Sequence, residues 1–140
     1  KLCTLIKRYD FNLRLSINLT DAFNSISPDA LFKMCKDYGA DQVTLRILYK
    51  SGESTPQDAW LDEHRMQTNL SDRYYDYVKN KGEALEVLEF GATKYSLMGM
   101  SIVVDTDCMA KAPKDVYKYL VLRPNCKLYS RWDDKASLIF

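Results

Sequence analysis

The chain has 140 residues, 46% of them hydrophobic, a length that suits one domain with an adequate core. Lys and Arg number 20 against 19 Asp and Glu, so the net charge of +1 creates no long-range field for nucleic acid or an anionic membrane. No apolar run reaches the roughly 18–20 residues of a membrane span and no signal-peptide series stands at the start, so a cytoplasmic protein without a membrane partner is expected.

Leu2, Leu5, Ile6 and Tyr9 fall at helical spacing, so the sequence opens within an amphipathic helix, as a piece cut from a longer protein would. From Asn12 to Leu19 the pattern alternates: Leu13, Leu15, Ile17 and Leu19 face one way, Asn12, Arg14, Ser16 and Asn18 the other. That is a two-faced strand. Ser27 followed by Pro28 starts a helix, Leu31, Met34, Cys35 and Tyr38 form its apolar stripe, and Gly39 ends it. A second alternating strand follows over 42–49, with Val43, Leu45, Ile47 and Tyr49 opposite Gln42, Thr44, Arg46 and Leu48.

Strand, helix and strand in so short a span form a right-handed βαβ unit with parallel strands. Parallel strands in open α/β folds are apolar on both faces, whereas these are polar on one. A closed or half-closed barrel explains the difference: helices cover the Leu/Ile/Val side, and Arg14, Ser16, Asn18, Thr44 and Arg46 line a lumen. Beyond a loop, Thr55-Pro56 introduces a short helix over 58–66, and Ser71 is expected to cap a further helix that stops at Gly82. From Glu83 the signals turn to β, at 85–90, 93–98, 101–105, 117–123 and 127–132, and the close spacing predicts antiparallel pairing. Pro124-Asn125-Cys126 is the expected turn of the last hairpin, and 110–114 is the one linker-like stretch. The apolar end, Ser137 to Phe140, either docks on the core or is another cut edge.

The fold class that results is α/β: a partial parallel (β/α) barrel segment at 1–82, followed by an antiparallel β region at 83–140 packed on it as one structural domain. Cys3, Cys35, Cys108 and Cys126 are spread singly, which fits neither a zinc site nor a disulfide scaffold, so they are expected to be small buried hydrophobes. The Asn18-Leu19-Thr20 and Asn69-Leu70-Ser71 triplets would accept glycans only on secretion.

The run Leu13-Arg14-Leu15-Ser16-Ile17-Asn18-Leu19, the helix after it, and Tyr38-Gly39-Ala40-Asp41-Gln42-Val43-Thr44-Leu45-Arg46-Ile47-Leu48-Tyr49 resemble the later barrel strands of radical S-adenosylmethionine enzymes. The resemblance is in particular to the group that includes the molybdenum-cofactor cyclase. Tyr119-Leu120-Val121-Leu122-Arg123-Pro124-Asn125-Cys126-Lys127-Leu128-Tyr129 resembles the β-hairpin that follows the barrel in many of them. In that family a Cys-x-x-x-Cys-x-x-Cys loop holds a 4Fe-4S cluster, and reductive cleavage of S-adenosylmethionine yields a 5'-deoxyadenosyl radical that abstracts hydrogen. No such cysteine loop occurs in these 140 residues. The resemblance therefore implies the part downstream of the cluster loop, which is not catalytic alone. Its partners would be the N-terminal half of the barrel and a small-molecule or peptide substrate.

What the resemblance implies for the site is cofactor contacts at Ser16, Asn18 and Arg46 and substrate contacts at Arg14 and Thr44, with no catalytic residue and no metal ligand. An arginine on the lumen face of a central strand requires an anionic or carbonyl partner, either a ligand or a structural carboxylate. Ser16 and Asn18 alternatively satisfy each other or buried water. The single His64 reads as a solvated surface residue, Glu53, Asp58 and Glu63 as a solvated loop cluster, and Asp105-Thr106-Asp107 as a turn. Trp132 caps a core and Asp133-Asp134 makes a turn; Tyr74, Tyr75 and Tyr77 lack the setting of a base-stacking platform. The alternative function is a free-standing α/β protein-interaction module without cofactor.

Overall fold

A computed structural model describes residues 2–48, 50, 55–88, 91–105, 120–130 and 135–140. Expectations at Tyr49, Glu53, Phe90, 106–119 and 131–134 lie outside the described residues, and so does the side chain of Asp105. The chain divides into two compact units, 1–109 and 110–140.

The first unit contains helix α1 (Leu2–Arg8), strand β1 (Arg14–Leu19), helix α2 (Pro28–Asp37), strand β2 (Gln42–Ile47), helices α3 (Pro56–His64) and α4 (Thr68–Lys81), and strands β3 (Glu83–Val87), β4 (Thr93–Leu97) and β5 (Met100–Asp105). The five strands form one mixed sheet in the order β1-β2-β5-β4-β3. β1, β2 and β5 run parallel, and β5, β4 and β3 form an antiparallel meander. Thus the fold is mixed α/β, as expected. The sheet continues across residue 82, and the division between units falls at 109/110 instead.

Local chemistry accounts for the element ends. Ser27 Oγ accepts from the Ala30 N–H ahead of α2, and Gly39 leaves it with φ +77°. Thr55 and Asp58 close a capping box at α3, so Asp58 is buried at the helix start instead of belonging to a solvated cluster. Between β4 and β5, Met98 (φ +53°) and Gly99 (φ +77°) make a tight two-residue turn whose twist matches the hairpin. One expectation is corrected: α4 begins at Thr68, and Ser71 lies inside it, where its hydroxyl donates to the Thr68 carbonyl at 2.8 Å.

α2 and α4 cover one face of the sheet. Leu31, Phe32 and Cys35 from α2 and Tyr74 and Val78 from α4 pack with Leu19, Val43, Leu45, Ile102 and Val104. The Tyr74 hydroxyl donates to the Ile26 carbonyl at 2.8 Å, tying α4 to the loop ahead of α2. The stripe of α2 is turned from its expected position: Met34 and Tyr38 are exposed, and Phe32 takes their place by stacking on Tyr77, ring centroids 5.9 Å apart. Of the three described cysteines only Cys35 is buried, and burial raises its thiol pKa; Cys3 is half-buried and Cys126 exposed. α1 has no fully buried residue.

Asp41 joins α1 to the starts of β1 and β2. Its carboxylate accepts from the Leu13 N–H at 2.6 Å and pairs with Lys7 Nζ at 2.9 Å. The Lys7 hydrogen bond and then the Leu13 N–H hold its pKa below the ordinary 3.8. A depressed carboxylate pKa contributes stability that is present above the unfolded pKa and lost as pH falls through the folded one. Asp41→Asn is therefore expected to destabilise at neutral pH, with the deficit shrinking as acid protonates the wild-type carboxylate. Denaturant midpoints of both proteins across pH 2–7 check this, and a deficit that grows below pH 4 would refute it.

In the second unit, β6 (Val121–Leu122) and β7 (Leu128–Tyr129) form an antiparallel hairpin. The expected turn is present: the Cys126 N–H donates to the Arg123 carbonyl at 2.9 Å, and Cys126 has φ +57°. The Arg123 guanidinium sits 4.1 Å over the Tyr129 ring. The C-terminal apolar residues join this hairpin by backbone pairing, with Ile139 N–H donating to Leu128 at 2.7 Å.

Candidate functional site: the uncovered face of the sheet

Among the described residues, helices α2 and α4 cover one face of the sheet. On the other, parallel register sets Arg14 beside Gln42, Ser16 beside Thr44 and Asn18 beside Arg46. All five expected site residues therefore share a surface. With strands about 4.8 Å apart and a rise near 3.3 Å per residue, Ser16, Thr44, Asn18 and Arg46 occupy a patch of about 5 by 7 Å.

The residues differ in how firmly they are held. Thr44 is buried at 6% exposure, and its hydroxyl accepts from an Arg14 guanidinium nitrogen at 3.0 Å. This cross-strand bond fixes the end of an otherwise exposed arginine. Ser16, Asn18 and Arg46 are exposed, and none of their side chains bonds to another described residue. The parallel register sets Asp105 of β5 beside Arg46, so a structural carboxylate stands next to a ligand as the second reading of this arginine.

Three residues not singled out beforehand extend the surface. β5 places Ser101 beside Gln42, β4 places Ser96 beside Ser101, and Lys94 stands beside Val103. Lys94 is paired with Glu86 across to β3, so it is less available than Arg46. The alternation of Lys94 and Ser96 with Tyr95 and Leu97 was a sufficient local signal; joining it to the Arg46 face required the sheet order.

His64 is not at this face. It is half-buried at the end of α3, 4.7 Å from the Trp60 ring, with Nδ1 3.7 Å from Asp21. No group of three His, Cys, Asp or Glu residues among the described ones is placed to hold a metal ion, and no described helix is long and apolar enough to cross a membrane. Comparison with family models, curated proteins and solved structures gave no significant match.

Proposed function

We propose that this chain is the cofactor- and substrate-facing C-terminal part of a cytoplasmic radical S-adenosylmethionine enzyme. The observation that carries the reading is the single-sided helix layer. The parallel strands β1, β2 and β5 lie side by side with α2 and α4 on one face, and the chain reaches β5 from β2 through α3, α4 and the antiparallel strands β3 and β4. A βα barrel likewise carries its helices on one face of the sheet, whereas a doubly wound sheet places helices on both faces. The sheet would be one arc, completed by an N-terminal half that pairs beside β1. The resemblance of the strand and hairpin segments supplies the family.

The described residues do not fit the cluster itself. Cys3, Cys35 and Cys126 are the described thiols, and no group of three His, Cys, Asp or Glu among the described residues could hold a metal ion. A 4Fe-4S cluster would be held outside these residues, and no step through it follows from this chain. The polar row does fit S-adenosylmethionine. Ser16 and Asn18 offer hydroxyl and amide groups for the ribose or the amino-acid end, and Arg46 offers a charged fork for a carboxylate. When bound with the cluster, the cofactor supplies hydrogen-atom abstraction. Arg14, held by Thr44, would face a small-molecule or peptide substrate.

Anaerobic iron and sulfide reconstitution of the longest natural chain tests the proposal. The expected result is a brown 4Fe-4S absorption and calorimetric binding of S-adenosylmethionine, with a Cys-x-x-x-Cys-x-x-Cys loop encoded upstream of Lys1. A colourless protein with no binding overturns it. A second reading, a protein-interaction module, rests on β3: every residue of this edge strand is exposed, including Leu85 and Val87.

A further inference from the structure

A second feature lies apart from the polar row, at the carboxyl ends of β1 and β2, where ligands of parallel α/β sheets enter crevices. A cleft of about 200 Å³ opens there. Leu19, Leu48 and Met66 line it with apolar surface, and Leu19 and Met66 belong to the buried core. Arg65, Thr68 and Asp72 also line it.

These three polar residues stand on regular structure. Arg65 terminates α3, donates its N–H to Leu61 at 2.9 Å and forms an antiparallel bridge with Thr20 just past β1. Thr68 and Asp72 are four residues apart on α4, a spacing that puts them on one helix face. Arg65 and Asp72 carry opposite charges and border the same small space. Neither side chain is paired with the other or with any other described residue. Opposite charges left single around an apolar floor match a ligand that carries both charges and an apolar body.

We propose that the cleft binds a small zwitterion, an α-amino acid with an aliphatic side chain. Arg65 and the Thr68 hydroxyl take its carboxylate, Asp72 takes its ammonium group, and the side chain rests on Leu19, Leu48 and Met66. The cleft of about 200 Å³ suits a ligand of this size, since pockets for drug-sized molecules run from about 300 to 1,000 Å³. The proposal does not depend on the S-adenosylmethionine reading.

Titration of L-leucine into the isotope-labelled full chain, followed by amide chemical shifts, tests it. The controls are isopentylamine and 4-methylpentanoate, which each lack one charge. Saturable shifts across residues 65–72 with L-leucine are expected. Each control ligand, and each of Arg65→Gln and Asp72→Asn, should bind at least about tenfold more weakly, because one ligand or protein charge is then unmatched. Thermal melts identical to wild type should show that both exposed substitutions leave the fold intact. The proposal is overturned by the absence of saturable shifts, by equal binding of isopentylamine or 4-methylpentanoate, or by unchanged affinity in the two variants.

Discussion

Replacing Phe32 by alanine is expected to cost about 3–5 kcal/mol, the range for deleting a buried aromatic ring from a core that relaxes only in part. Phe32 has 0% exposure and stacks at 15° on Tyr77 of α4. Tyr77 in turn donates to Asp29 at the start of α2, at 2.9 Å. The ring thus occupies the space between the two helices that together cover the sheet, and its loss leaves a cavity there. Domains of this size are stable by only about 5–15 kcal/mol, so much of the folded margin would disappear. Denaturant unfolding should show a large fall in midpoint at a nearly unchanged slope. Met34→Ala, two residues along at 37% exposure, should cost less than about 1.5 kcal/mol and serves as the comparison. Equal effects at the two positions would contradict the packing described.

Arg46→Ala is expected to weaken S-adenosylmethionine binding by the reconstituted natural protein at least about tenfold, the loss of a charge-assisted hydrogen bond. Thermal stability should stay within about 0.5 kcal/mol of wild type, because Arg46 is exposed and bonds to no described residue. Arg46→Lys separates charge from geometry: a lysine keeps the charge and loses the planar fork, so recovery should be partial. Unchanged affinity in the alanine variant, with the protein still folded, would remove Arg46 from the site.

Much of the polar face was legible before any coordinates. Arg14, Ser16, Asn18, Thr44 and Arg46 fall on one surface because alternation in a strand has a strict period of two, and one parallel register carries the face from β1 to β2. Thr44 acquired its bond to Arg14, and Arg46 its lack of a described partner, from neighbours that no local pattern names. Phe32 was overlooked because a period of 3.6 identifies an apolar stripe without saying that a second helix will bury its flank. Ser71 was misplaced because a serine that caps a helix and one that bonds back inside it look alike in sequence; the difference is whether the chain before it is already helical.

By itself the sequence determined the two-faced strands, the cap at Ser27, the left-handed exit at Gly39 and the cap at Thr55. Those features are decided by interactions within about four residues. Only the tertiary structure decided that β5 inserts beside β2, that the sheet runs through residue 82, and that Arg65 and Asp72 border one cleft. Such pairings join segments far apart in the chain. They are chosen by which apolar faces can be buried together, a balance of the whole core that no single segment carries.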